Sequence, residues 1–246
     1  MNGNKKWEPS PREVVFMLVL ILLFTLGSCS SAYRGMGKMM KRADESRKSE
    51  SFSDVGNSVV PDGSLSDLDN LTVNDNPTPP EKYNRVEQFG PAWKDVDRNG
   101  CDTRNDILLR DLSTSLVGGR YSCVVIAGKL ADPYSGKWID FRKEDASKVQ
   151  IDHVVALEDA WQSGAYNLSK ETREALANDP DNLLAVNGHD NMAKGSKSAD
   201  QWMPPNSAYA CTYASKQVQI KTRYALTVTT PEKQALADAL ATCPTD

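Results

Sequence analysis

Histidine is scarce in this sequence, because the chain of 246 residues contains only His153 and His189. A zinc site built from three or more imidazoles is therefore excluded. No two cysteines are spaced as CxxC, which argues against a zinc site made of thiolate pairs. Basic residues are not in excess either, since 29 Lys and Arg face 33 Asp and Glu and the formal net charge is -4. That balance excludes a strongly basic coat for nucleic acid but leaves room for a local basic face.

The longest apolar run, residues 14–26, is shorter than the roughly 20 residues that a membrane-spanning helix needs. It follows Lys5, Lys6 and Arg12 and ends in the tetrapeptide LGSC (residues 26–29). A basic start, an apolar stretch and small residues at its end are typical of a secretory signal peptide. We therefore predict that the mature chain works outside the cytoplasm.

The LGSC tetrapeptide resembles the lipobox of bacterial lipoproteins, in which the cysteine is lipidated and the signal is cut just before it. The resemblance implies a signal peptide over residues 1–28 and a diacylglyceryl group on Cys29. Two or more acyl chains anchor a protein stably, so the mature chain is expected on the outer face of the cell membrane. The alternative is a fully secreted form that is cleaved nearby.

The five cysteines are an odd number, and lipidation of Cys29 leaves four of them. In an oxidising compartment four cysteines form two disulfides, for which three pairings exist. We favour Cys101–Cys123 and Cys211–Cys243, because each of these pairs closes a short local loop.

Residues 29–83 are rich in Ser, Asp and Asn, and the segment NDNPTPPEK (residues 74–82) contributes three prolines. Such a composition buries too little apolar surface to offset the entropy lost on ordering. It predicts a disordered tether between the membrane and one folded domain. That domain, residues 84–246, contains both histidines and the four remaining cysteines.

The patterning of residues 84–246 predicts a mixed α+β fold. Ile107, Leu108 and Leu112 share one face of a helix predicted over residues 104–112. Strands are predicted at residues 123–130 and 137–141, which form a small β-hairpin, and at residues 149–155 and 182–186. Further helices are predicted at residues 156–163, 169–178 and 189–196. Residues 207–224 and 231–241 are predicted to close the chain as two helical or mixed elements.

The most informative residues lie in IDHVVALEDAW (residues 151–161) and DPDNLLAVNGHDNMAKGSKS (residues 179–198). Asp152 and His153 end one predicted strand, Asn182 opens another, and Asn191 follows nine residues later, just before KGSK. This ordered set resembles the HNH, or His-Me finger, nucleases, in which two antiparallel strands and a helix hold one divalent metal ion.

The resemblance extends over about residues 88–243. CDTRNDILLRDL (residues 101–112) and DPYSGKWIDF (residues 132–141) are similar to segments of one HNH branch. That branch consists of secreted actinobacterial proteins related to the C-terminal domain of modification-dependent restriction enzymes. The resemblance implies a ββα-metal core with additional helices.

The resemblance also implies a role for each residue of the set. His153 is expected to be the general base, since a neutral imidazole accepts a proton near neutral pH. Asp152 and Asn191 are expected to be the metal ligands, and their oxygens suit Mg²⁺, with Mn²⁺ as a substitute. Asn182 is expected to fix the loop that holds the base. His189 lies seven residues after Asn182 rather than nine, so the pattern gives it no ligand role.

Substrate contacts are expected from the basic side chains Arg104, Lys194 and Lys197. For Arg104, a structural role near Cys101 is an equal alternative. Lys and Arg also outnumber Asp in residues 186–224. Contacts of this kind give affinity for phosphate without reading bases, which predicts low sequence specificity. The alternative is that the basic cluster is an ordinary solvated face.

The sequence therefore predicts an extracytoplasmic, metal-dependent endonuclease that acts on nucleic acid, with DNA as the expected substrate and RNA as the alternative, and without an obligate protein partner. One alternative is a non-catalytic envelope lipoprotein that keeps the HNH fold as a binding module. A second alternative is a hydrolase of another phosphodiester, such as a wall polymer.

Overall fold

The structure, a computed structural model, describes residues 64–119 and 122–244. The predicted signal peptide, the lipidation site Cys29 and the first part of the predicted tether lie outside the described residues. No helix in the described part of the chain combines the length and the hydrophobicity that crossing a bilayer requires.

The part of the chain that the structure describes includes a segment that the sequence predicted to be a disordered tether. Helix α1 (Ser64–Asn70) lies within that segment. Leu68 and Leu71 are buried in one apolar cluster with Val228, and Val73 pairs with Val228 in a parallel bridge. These two leucines pack against the C-terminal helices, and their burial stabilises the segment. The average composition of the segment, which is polar, did not predict this contact. The folded domain therefore begins before residue 84.

A three-stranded antiparallel sheet forms the first part of the domain. The sheet consists of strands β1 (Leu112–Gly118), β2 (Val124–Ala131) and β3 (Trp138–Arg142), in the order β1-β2-β3. Two helices precede it in the chain, α2 (Arg85–Phe89) and α3 (Thr103–Asp111). Strands β2 and β3 are the predicted hairpin. The sequence did not predict β1, whose Ser-Thr-Ser segment carries no apolar alternation. The predicted disulfide Cys101–Cys123 is confirmed and joins the start of α3 to the start of β2.

The second sheet pairs two strands that are distant in the chain. Strand β4 (Val149–His153) is followed by helix α4 (Leu157–Gln162), helix α5 (Lys170–Ala177), the antiparallel strand β5 (Leu183–Asn187) and helix α6 (Gly188–Lys194). Gly188 brings α6 close to the chain before β4, because a Cβ there would lie 2.0 Å from the Ser147 carbonyl oxygen. The predicted mixed α+β class is thus confirmed, with two antiparallel strands followed directly by a helix.

Two helices close the chain, α7 (Ala210–Arg223) and α8 (Thr230–Leu240). The predicted disulfide Cys211–Cys243 is confirmed and ties the start of α7 to the end of α8. Val218 from α7 packs against Leu236 from α8 in an apolar cluster.

A buried ionic cluster connects α4 with these two helices. Lys221 is fully buried, and its Nζ lies 2.7 Å from Glu232 Oε1 and 3.2 Å from Asp159 Oδ2. Two carboxylates thus share one ammonium group. Burial raises the pKa of Glu232 to about 7, the attraction of Lys221 opposes this shift, and the charge of Asp159 reinforces it.

The raised pKa of Glu232 predicts a pH-dependent stability. A glutamate in the unfolded chain titrates near 4.5, so the folded state binds more protons between about pH 4.5 and about pH 7. The contribution of Glu232 is therefore most favourable below that window and declines as the pH rises through it. Relative to Glu232→Gln, the wild type should lose stability over this range in urea unfolding at a series of pH values. Glu144→Gln, at a carboxylate with a 66% exposed side chain, should reproduce the wild-type profile.

Candidate active site

A pocket of about 430 Å³ lies at the end of β4. Asp152 and His153 line it from β4, and Asn191 lines it from α6. The structure therefore brings together the three residues that were predicted to carry the base and the metal ligands. Seven other residues of the lining come from the segment before α3, from α4 and from the loop after α6: Tyr83, Arg85, Trp93, Leu157, Glu158, Gly195 and Ser196.

The protonation of His153 follows from its hydrogen bond to the backbone. Its Nε2 lies 2.9 Å from the carbonyl oxygen of Ala177. A carbonyl oxygen can only accept, so Nε2 carries the hydrogen and the neutral ring keeps a lone pair on Nδ1. Burial lowers the pKa of His153 to about 3. The positive charges of Arg85 and Lys194 also lower this pKa, whereas the hydrogen bond to Ala177 raises it. His153 is therefore a neutral imidazole whose Nδ1 can accept a proton.

The plane of the His153 ring is fixed by Trp93. The two ring centres are 6.1 Å apart and the rings are inclined by only 14°. Trp93 has a φ of 60°, a left-handed conformation that large side chains rarely adopt. A residue keeps such a conformation only where its surroundings impose it. The stacking partner of His153 thus lies sixty positions earlier in the chain, where no motif identified it.

Asp152 is buried and accepts three hydrogen bonds. Lys194 Nζ lies 2.9 Å from its Oδ1 and 2.8 Å from its Oδ2, and the Tyr134 hydroxyl donates to Oδ2 at 2.5 Å. Lys194 also donates to the carbonyl oxygen of His153 at 2.6 Å, and its side chain is fully buried. The prediction that Lys194 binds substrate is therefore corrected. It follows Asn191 by three positions on α6, which places both residues on the helix face that packs against β4.

The oxygen donors of the pocket fit a single hard cation. A carboxylate offers about four acceptor positions, of which Asp152 uses three, so one position remains. Asn191 Nδ2 donates to Gln150 Oε1 at 2.8 Å, and its own Oδ1 receives no hydrogen bond from any described residue. No group of three His, Cys, Asp or Glu side chains in the described ranges forms a metal centre. An ion held here by Asp152 and Asn191 would thus complete its shell with water and phosphate oxygens, as Mg²⁺ commonly does.

Asn182 lies outside the pocket lining and is fully buried. Its Oδ1 accepts from the Val155 N–H at 2.8 Å, and its Nδ2 donates to the carbonyl oxygens of Val155 and Leu176 at 3.3 and 3.4 Å. These bonds tie the start of β5 to the loop that follows His153. The side chain therefore holds the backbone beside the base and has no access to a ligand.

The remaining candidates also lie away from the lining. Arg104 is half-buried and donates to the carbonyl oxygen of Val149 at 3.2 Å, so it braces the start of β4. Lys197 is exposed and donates to the carbonyl oxygen of Ala193 at 2.6 Å. His189 has an 86% exposed side chain, and its Nδ1 lies 3.3 Å from Asp190 Oδ1. The structure thus brings Arg104 to β4 rather than into the pocket, which agrees with a structural role and not with a substrate contact.

Comparison with known proteins identifies a family for this chain. Residues 102–239 match the family described as GmrSD restriction endonucleases, C-terminal domain, and they make up more than half of the chain. The chain belongs to this family. The predicted relationship to the C-terminal domain of restriction enzymes is therefore confirmed. The family match contains Asp152, His153 and Asn191, whereas Arg85 and Trp93 precede it.

This member of the GmrSD C-terminal family is 39% identical to one relative over 168 residues, which cover 67% of this chain and 78% of the relative. It is described as an uncharacterized secreted protein of Arthroderma benhamiae. No solved structure matches the chain.

Proposed function

We propose that this protein is an extracytoplasmic, metal-dependent endonuclease that hydrolyses phosphodiester bonds of nucleic acid, DNA in preference to RNA, with low sequence specificity. The observation that carries the proposal is the shared pocket, in which the neutral His153 lies beside the oxygen donors Asp152 and Asn191. Membership of a restriction-endonuclease domain family supports the reaction class.

In this proposal His153 takes the proton of the attacking water on Nδ1, because its Nε2 is occupied by Ala177. A pKa of about 3 makes the ring a weak base in the absence of substrate. The negative charge of a bound phosphate raises the pKa of a nearby imidazole, so base strength increases when substrate is in place.

Asp152 and Asn191 would hold the divalent ion, Mg²⁺ or its substitute Mn²⁺. When bound, the ion supplies positive charge that stabilises the charge developing on the phosphate and the leaving oxygen. Lys194 and Tyr134 orient the Asp152 carboxylate, and Gln150 orients the Asn191 amide. Both ligands are thus held in one orientation by partners behind them.

The proposed location rests on two observations. Two disulfides persist in an oxidising compartment, and the relative is described as secreted. We propose that the mature chain is anchored to the outer face of the cell membrane through Cys29, or is released after cleavage nearby.

The direct test is degradation of plasmid DNA and of an RNA of similar length by the purified mature chain. Hydrolysis is expected with Mg²⁺ or Mn²⁺, faster for DNA, and should stop in EDTA and resume when Mg²⁺ is restored. Undiminished cleavage in EDTA contradicts the metal-dependent mechanism. Absence of cleavage with either ion contradicts the nuclease.

One observation favours the non-catalytic alternative, an envelope protein that keeps the fold as a binding module. Lys194 already supplies a positive charge to both oxygens of Asp152. Calorimetric titration with Mn²⁺ separates the two proposals, because the nuclease requires saturable binding that Asp152→Asn weakens. Under the alternative the wild type gives no binding heat.

A further inference from the structure

The pocket contains a charged side chain that neither the HNH motif nor the family match includes. Arg85 begins α2, seventeen positions before the matched segment, and lines the pocket together with His153. Its side chain is half-buried, so the guanidinium is held against the protein and still reaches the cavity.

Arg85 also differs from other arginines in what it contacts. Within the described part of the chain its guanidinium forms no ion pair and no hydrogen bond, and it lies 5.8 Å from the centre of the Trp93 ring. Arg110, Arg173 and Arg223 all donate to named carboxylates or carbonyl oxygens. The five N–H donors of Arg85 therefore remain available to a ligand that enters the pocket.

Trp93 couples the position of this cation to that of the base. Its ring supports the Arg85 guanidinium by a cation–π contact and stacks on His153 at 6.1 Å. The Arg85 guanidinium and the His153 imidazole therefore both pack against the same indole ring. Lys194, the other nearby cation, is buried in its pair with Asp152, which leaves Arg85 to face an anion in the cavity.

We propose that Arg85 binds a non-bridging oxygen of the phosphate that is cleaved and stabilises the charge gained there in the transition state. The inference rests on the proposed nuclease function and adds a phosphate-binding residue from outside the family match. The planar guanidinium presents paired N–H donors, which suit a phosphodiester anion better than a single ammonium charge does.

The step balances with the groups already named. A bond forms between the water oxygen and phosphorus, the bond from phosphorus to the leaving oxygen breaks, and the water proton moves to His153 Nδ1. The leaving oxygen takes a proton from solvent. Arg85 exchanges no proton or electron, so its contribution is electrostatic.

The test compares Arg85→Ala and Arg85→Lys with Arg142→Ala, at an arginine on β3 whose side chain is 68% exposed. Arg85→Ala should reduce kcat/KM for a DNA oligonucleotide by roughly 10²- to 10³-fold. Arg85→Lys should recover part of the affinity and little of kcat, because it keeps charge without the planar fork. Arg142→Ala should match the wild type.

Binding measured without cleavage separates this proposal from the nuclease proposal. In a His153→Ala background, fluorescence anisotropy with the same oligonucleotide should show about tenfold weaker binding after Arg85→Ala. The dependence of binding on salt should also fall by about one phosphate contact, a change that a purely structural role would not produce. If the Arg85 variants cleave and bind like wild type, this inference is overturned and the nuclease stands. If the wild type never cleaves, the proposed function fails, whereas an Arg85-dependent salt effect still supports anion binding.

Discussion

Replacement of His153 by alanine is expected to reduce kcat for DNA hydrolysis by roughly 10²- to 10⁴-fold, the usual contribution of a positioned general base. The reason is geometric, because the Nε2 hydrogen bond to Ala177 and the stack on Trp93 leave Nδ1 as the proton acceptor in the pocket. KM should change little, since the imidazole is neutral and contributes no charge to substrate binding. Steady-state cleavage of a labelled oligonucleotide measures both quantities.

His189→Ala is the matched control for this experiment. The only other histidine of the chain has an 86% exposed side chain and does not line the pocket, so its removal should leave kcat unchanged. Circular dichroism establishes that both variants are folded at the assay temperature. Equal kcat values for His153→Ala and the wild type would show that His153 is not the general base. A loss of kcat in His189→Ala alone would show that His189 is the base instead.

The fold was predictable from sequence wherever one face of an element is apolar. Ile107 and Leu108 are both buried on α3, and the apolar runs of β2 and β4 identify these strands. Strand β1 was not predicted because its Ser-Thr-Ser segment has no apolar face, and its pairing with β2 is interrupted between Ser113 and Leu116. Helix α1 was not predicted because the apolar partners of Leu68 and Leu71 lie far along the chain, near Val228.

The residues of the site were also predictable only where a local sequence motif identifies them. Chain order, spacing and the resemblance to HNH nucleases together selected Asp152, His153 and Asn191, which the fold places around one pocket. They were insufficient for Arg85 and Trp93, because a stack between residues sixty positions apart leaves no local pattern. The error at Lys194 came from reading KGSK as a surface cluster, although the helical spacing from Asn191 directs that lysine toward β4.

Lys194→Met should lower the free energy of unfolding by about 3–5 kcal/mol, which is typical when one partner of a buried ion pair is removed. The ammonium is fully buried and supplies hydrogen bonds to Asp152 and to the His153 carbonyl oxygen. Its loss leaves the Asp152 carboxylate buried with only the Tyr134 hydroxyl as donor among the described residues. Urea unfolding monitored by circular dichroism measures the change.

The double variant Lys194→Met with Asp152→Asn distinguishes an uncompensated charge from simple loss of packing. Asparagine keeps the shape of Asp152 and removes its charge, so the double variant should be more stable than Lys194→Met alone. Added Mg²⁺ should also raise the Tm of Lys194→Met more than that of the wild type, because the freed carboxylate then has two oxygens for a cation. A double variant no more stable than the single one would show that Lys194 acts through its aliphatic packing. A Tm unaffected by Mg²⁺ would argue that Asp152 is no metal ligand and that its buried pair with Lys194 is structural.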